Sequence, residues 1–373
     1  MKKLKVAALL MIAAVTLAGC KKQAETESTE PPVETETETE TETVAQLEPT
    51  IIEETESAGL GDDRSYLTGE VVGKELHNRR PIAVMMNNII NACPQAGIGK
   101  AGVIYEAPVE GAITRLMAIF DDVSGMDKIG AVRSCRTYYP MYAREFDAIY
   151  VHYGQAVYAV ELLNSDKVDN VSGLSFQEGA GEIYGYAGED IFYRTSDRPA
   201  PHNCYTSGEE IDTACTRLGY RRLHEDDFQQ KFQFTNDGES ISLDGGTATT
   251  IKPGYQVNKP WFEFKDGKYY RYQYGDAQID ELTGEQLTCS NVILQLSEWV
   301  NYDDHGYLNI NTVSGGDAYY FTNGTYEKCT WRRESEDAPA KYYDNDGNEI
   351  VLNQGKTWIC IIQDSYAEDI VIE

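Results

Sequence analysis

The chain is poor in positive charge. Of its 373 residues, 32 are Lys or Arg against 61 Asp or Glu, giving a formal net charge of −29. No basic excess is left to displace counterions from phosphates, so a general nucleic-acid binder is excluded. Histidine is scarce too, at five residues, and HExxH is absent, so neither a metal nor a cofactor is expected. No Cys-x-x-Cys occurs. The cysteines after Cys20 (Cys93, Cys135, Cys204, Cys215, Cys289, Cys329 and Cys360) are odd in number. That argues against a disulfide framework or a zinc knuckle, and most read as small buried apolar residues. Gly97-Ile98-Gly99-Lys100 lacks the upstream Gly and the following Ser or Thr of a phosphate loop. Asp344 to Glu349 opens like a calcium loop without its final Glu, and reads as a hairpin turn. No GxSxG elbow surrounds Ser134. Beyond the first twenty residues no apolar run is long enough to span a bilayer.

What is present at the N-terminus has an order of its own. Lys2, Lys3 and Lys5 precede an apolar run from Val6 to Leu17, which ends in Leu17-Ala18-Gly19-Cys20. A positive n-region, a short apolar core and a small-residue box before Cys are the parts of a lipoprotein signal peptide. Residues 1–19 are therefore expected to be removed. Cys20 is expected to carry lipid and hold the chain on the extracytoplasmic face of the membrane. Residues 20–64 follow as an acidic tether. Between residues 21 and 60 there are twelve Glu, two Lys and no aromatic residue, with Glu-Thr alternation from Glu34 to Thr43. Such a stretch cannot bury enough apolar surface to offset chain entropy, and like charges extend it.

Two domains are expected after the tether, at 65–235 and 236–373. The fold class is α+β: a mixed α/β N-terminal domain followed by a mostly antiparallel β C-terminal domain. Ile82 to Met86, Val103 to Tyr105 and Ile113 to Phe120 read as buried strands, the last two joined by a turn at Glu110-Gly111. Tyr139 to Phe146 and Ala156 to Leu163 carry helical spacing, with a strand at Ala148 to Val151 between them. Trp261 to Phe264 and Tyr269 to Tyr274 flank Asp266-Gly267 and predict a hairpin. Phe262, Phe264, Tyr270, Tyr272 and Tyr274 are all even-numbered and predict its buried face. That places Arg271 and Gln273 in solvent.

Several blocks carry a likeness. They are Arg80 to Asn88, Ala101 to Glu106, Val109 to Arg115, Ile129 to Arg136, Tyr150 to His152, Pro201 to Ser207, Asn291 to Ile293, and Gly355 to Ile359. Together they resemble the YerB-like lipoproteins, a Gram-positive family of two adjoining domains of unknown function. The resemblance implies an architecture and an address in the cell envelope, and no reaction. Three positions depart from its pattern: Tyr153, where relatives carry a second His; Cys135, in place of a small residue; and Thr195, in place of an acid.

The candidate chemistry falls in these blocks. Glu106 and Glu110 can serve as a carboxylate pair on a glycan, with His152 and His202 as further acid or base. They can equally pair with Arg115 and Arg133 in a structural ion network. Arg115, Arg133 and Arg136, with Asn203 and Tyr205, can hold a phosphate or carboxylate. Cys135 between two guanidiniums is either an activated thiol or a buried structural one. The expected function is binding of an anionic or glycan envelope ligand or partner. The partners are the membrane, through lipid on Cys20, and a cell-wall polymer or envelope protein. The alternative is an envelope hydrolase or transferase using Glu106 or Glu110 with His152 and His202.

Overall fold

The computed structural model describes residues 61–373. The expected signal peptide, Cys20 and the expected tether up to residue 60 lie outside the described residues. Residues 61–64, the last of the expected tether, are fixed to the body. The Asp63 carbonyl accepts from Val72 N at 2.9 Å and Gly73 N at 3.0 Å, and Arg64 pairs with Asp237.

The central strands form on continuously apolar runs, and the outer strands and the hairpin on mixed ones. In chain order they are β1 (Ile82–Asn87), β2 (Val103–Pro108), β3 (Thr114–Phe120), β4 (Ile149–His152) and β5 (Asn170–Ser172). After them come β6 (Trp261–Lys265), β7 (Lys268–Gln273), β8 (Asn291–Ser297), β9 (Gly316–Thr322), β10 (Thr325–Arg332), β11 (Lys341–Tyr343) and β12 (Thr357–Gln363). All but β6 and β7 share one sheet, in the order β11-β10-β9-β8-β12-β2-β3-β1-β4-β5. The five strands before residue 236 and the five after it meet at a single parallel pair, β12 with β2, in register Ile104↔Trp358 and Glu106↔Cys360.

Both faces are covered at the centre of this sheet, where β1, β2, β3, β8 and β12 are buried almost throughout, while β10 near one edge alternates buried and exposed positions toward its end. Val84, Met86, Ile104, Leu116 and Ala118 lie on one face with Trp358 and Cys360. Met85, Tyr105, Met117 and Ile119 lie on the other with Ile359 and Ile361. Each fully buried side chain of this kind contributes roughly 1.5–3 kcal/mol. Each face draws on both halves of the chain, so the seam is held by packing as well as by its ladder. The α-helices all precede residue 220. The one at Gly208–Leu218 starts at Ser207, whose Oγ accepts from Glu210 N at 3.2 Å, and ends at Gly219 with φ 72°. It buries Ile211, Ala214 and Cys215 against the first face.

The β6–β7 hairpin forms around Asp266-Gly267 as expected, but its inner face differs. Phe262 pairs with Arg271, and Phe264 with Tyr269. A two-residue turn pairs even positions of one strand with odd positions of the other, so parity inverts across it. Tyr269, Arg271 and Gln273 are buried, and Tyr270 and Tyr272 lie partly exposed.

Candidate functional site

The carboxyl ends of β1, β2 and β4 open on one end of the sheet, the end where open sheets present ligand sites. The start of β3 lies there too, because Arg115 pairs with both Asn87 and Ala107. The loop Arg133 to Arg136 and the segment Pro201 to Asn203 close over it. The Arg133 guanidinium donates to the Pro201 carbonyl at 3.3 Å.

Arg115 is the unusual group. It is 5% exposed, and its one hydrogen bond among the described residues runs from Nη1 to the Ser134 carbonyl at 2.6 Å. Among the described residues no carboxylate lies within 4 Å of it. Burial, then the neighbouring charges of Arg136 and Arg133, push its pKa down to about 10. Arg136 is 8% exposed and forms a fork with Glu110, from Nε at 2.5 Å and Nη2 at 2.7 Å. Burial opposes its charge, but Glu110 outweighs burial and its pKa is raised. Arg133 is partly exposed, and burial, then Arg136 and Arg194, lower its pKa. Its Nε is buried with no hydrogen-bond partner. Arg194, exposed, lies 5.0 Å from the Tyr153 ring centroid and donates to Asn203 Oδ1 at 3.0 Å. Four guanidiniums therefore lie near one another, and among the described residues only Arg136 has a carboxylate in contact, Glu110, in a chain whose overall charge is strongly negative. An uncompensated buried cation is costly, and the cost is offset when an anion completes it.

His202 borders the cluster, half-buried. Asn87 Oδ1 accepts from Ile89 N at 3.2 Å, which fixes the amide so that Nδ2 donates to His202 Nδ1 at 2.9 Å. His202 therefore carries its proton on Nε2, a donor without a partner among the described residues. Burial, then Arg133, lowers its pKa below the usual value, so the ring is neutral at pH 7.

The other expected site residues lie elsewhere or are occupied. Glu106 sits on the opposite face from Arg115, with 0% exposure. Its Oε1 accepts from Thr114 Oγ1 and Asn258 Nδ2, both at 2.8 Å, and from Asn88 Nδ2 at 3.3 Å. Its Oε2 accepts from Arg271 Nη2 at 2.5 Å and Trp358 Nε1 at 3.3 Å. Glu106 and Glu110 therefore serve separate arginines, Arg271 and Arg136. His152 is fully buried, with Nδ1 2.8 Å from the Gly154 carbonyl and Nε2 3.1 Å from Asn170 Oδ1. Burial lowers its pKa against the pull of those two bonds. Asn203 is spent on Arg194 and on the Thr195 carbonyl, 2.5 Å away. Tyr205 is buried beneath Lys128, whose Nζ lies 4.3 Å from its ring. Burial pushes the Cys135 thiol up to about 12, the opposite of activation.

Two participants escaped the sequence reading. Arg194 stands outside the dense blocks. Tyr307, whose ring centroid lies 5.0 Å from the Arg136 guanidinium, comes from the far half of the chain. A cavity of about 580 Å³ near Arg80, Asp147, Asp169 and Arg221 is a weaker candidate, because these two arginines pair with these two carboxylates.

Comparison with known proteins gives the family and the fold. Residues 67–221 match the family described as Protein of unknown function (DUF3048) N-terminal domain, and residues 250–359 match its C-terminal domain. The chain is 32% identical over 314 residues to a Bacillus subtilis (strain 168) protein named "Putative lipoprotein YerB", covering 82% of this chain and 88% of that one. The crystal structure of YerB from Bacillus subtilis superposes with a TM-score of 0.70 at 28% identity, over 83% of this chain and 99% of that one. The chain belongs to the YerB-like family, with both of its domains of unknown function.

Proposed function

We propose that this chain is a lipid-anchored protein of the extracytoplasmic membrane face. In this reading Cys20 carries the lipid and the residues from there to 60 form the tether. The domains 65–235, mixed α/β, and 236–373, mostly antiparallel β, together hold an anionic envelope ligand at Arg115, Arg133 and Arg136, with His202 donating from Nε2. The name of the Bacillus subtilis relative and the Leu17 to Cys20 box support the anchoring. The observation that carries the binding is the Arg115 guanidinium: 95% buried, facing two further arginines, and without a carboxylate of its own. Guanidinium forks match the oxygens of phosphate and carboxylate. The hydrolase reading has less support, because Glu106 is sealed from solvent and Glu110 is committed to Arg136.

A thermal melt tests the proposal. Sodium phosphate, compared with sodium chloride at equal ionic strength, should stabilise the wild-type chain. At ten times its Kd the gain is about 1.4 kcal/mol, roughly 2–4 °C for a chain of this size. Arg115→Met should abolish the difference between the salts. An equal response of both proteins to phosphate contradicts the proposal.

A further inference from the structure

From the arginine cluster a track of aromatic rings leads outward over the surface. Beyond Arg136 and Tyr307 lies Tyr158, whose ring centroid is 5.8 Å from that of Tyr307 and edge-on to it. Tyr302 stacks on Tyr158 at 4.4 Å with the planes 10° apart. Tyr158 is 39% exposed and Tyr302 38%. Large rings left half in solvent and locked against one another form a preorganised apolar face. Polar side chains meet their hydroxyl ends. Tyr158 Oη donates to Asp303 Oδ2 at 2.9 Å, and Tyr302 Oη to Asn309 Oδ1 at 3.0 Å. Tyr158 belongs to the half of the chain before residue 236, and Tyr302, Asp303 and Tyr307 to the half after it. The track therefore exists only where the two halves meet, and it begins at the cationic cluster.

We propose that the cluster and this track form one binding surface for an anionic glycan: the acid group rests on Arg115 and Arg136, and the sugar rings lie on Tyr307, Tyr158 and Tyr302. The proposal rests on the anion-binding reading and adds the ligand's chemical class. Sugar rings present apolar faces that stack on aromatic rings, and hydroxyls that bond to groups such as Asp303 and Asn309. A small inorganic anion engages the arginines alone. Only a ligand with both an acid and a sugar uses both parts. The acid is either a sugar-linked carboxylate or a sugar phosphate, and guanidiniums accept both.

Calorimetric titration of the purified full-length chain separates the parts. The probes are inorganic phosphate, the carboxylate-bearing disaccharide N-acetylglucosaminyl-N-acetylmuramic acid, and chitobiose 1-phosphate. At least one disaccharide acid should bind more tightly than phosphate, and which one does so identifies the acid. Tyr302→Ala should weaken that disaccharide about tenfold, or ~1.4 kcal/mol, and leave phosphate within about twofold. Tyr302→Phe, which keeps the ring, should retain the affinity. The glycan proposal is overturned if neither disaccharide exceeds phosphate, if Tyr302→Ala leaves the disaccharide unaffected, or if it weakens phosphate equally. Failure of the wild-type chain to bind phosphate or either disaccharide overturns the underlying anion reading as well.

Discussion

Replacing Arg271 with Met removes the one cation in contact with Glu106 among the described residues, at the seam between the halves. Both side chains are fully out of solvent. The Arg271 guanidinium lies 4.6 Å from the Phe262 ring centroid and 4.7 Å from that of Trp358. Met has a long, adaptable side chain and keeps much of that packing. What it leaves is a buried carboxylate held by neutral donors alone. Breaking a buried pair from one side costs about 3–5 kcal/mol. Asn88, Thr114, Asn258 and Trp358 still donate to Glu106, which places the expected loss near the lower end, at about 3 kcal/mol. Glu106→Gln with Arg271→Met should cost less than the two single changes added together, with a coupling of about 1–3 kcal/mol.

Urea unfolding at pH 7 reads both quantities. It also tests the shared sheet, because all four tryptophans, Trp261, Trp299, Trp331 and Trp358, lie after residue 236. Fluorescence therefore reports on that half and circular dichroism on the whole. In the wild-type protein the two curves should coincide. A loss below about 1 kcal/mol in Arg271→Met, or separate fluorescence and dichroism transitions in wild type, would refute the reasoning.

Three further outcomes are expected. His202→Gln should weaken phosphate binding while changing unfolding stability by less than about 1 kcal/mol, since the half-buried ring makes one hydrogen bond; early unfolding would instead assign His202 to structure. Burial raises the Asp121 carboxyl to about 6, against the bonds it accepts from Ser65 Oγ at 2.8 Å. Its folded pKa lies above the unfolded value, so its contribution to stability is fully present below about 4 and is lost as pH rises through 6. Asp121→Asn should accordingly gain roughly 1–3 kcal/mol at pH 7 and flatten the stability profile between pH 4 and 7; an unchanged profile counts against this assignment. Cys20→Ala should release the chain from the membrane fraction or leave it unprocessed, and wild-type fractionation and migration would remove the lipid anchor from the account.

The parts of the fold legible in the sequence were those set by local pattern. Ile82 to Met86 and Ile113 to Phe120 read as buried strands because a sheet covered on both faces needs no polar alternation. Asp266-Gly267 announced its hairpin by turn chemistry. Arg271 was misplaced because parity was carried unchanged across that turn, although the two-residue loop itself implied the inversion. The amides around Glu106 were illegible for another reason. Asn88, Gln273 and Asn258 are polar, and part of what makes their burial tolerable comes from the opposite half, through Gln273 Nε2 on Asn88 Oδ1 and Asn258 Nδ2 on Glu106 Oε1. The pairing of β2 with β12 joins segments at opposite ends of the described chain, which no local pattern encodes. In the candidate site, Arg115, Arg133, Arg136 and His202 were legible as polar groups within the dense sequence blocks. The diversion of Glu106, His152 and Asn203 into structural bonds, and the burial of Tyr205 beneath Lys128, depend on which face each side chain takes.

The central claim is that Arg115 holds an unpaired guanidinium ready for an anion. Side-chain Nε–H signals of the arginines, followed by NMR during a phosphate titration at constant ionic strength, address it most directly. Arg115 should shift saturably together with Arg133, while Arg271, sealed against Glu106, stays still. An unmoved Arg115 signal, or a uniform drift of all arginines without saturation, would contradict the account.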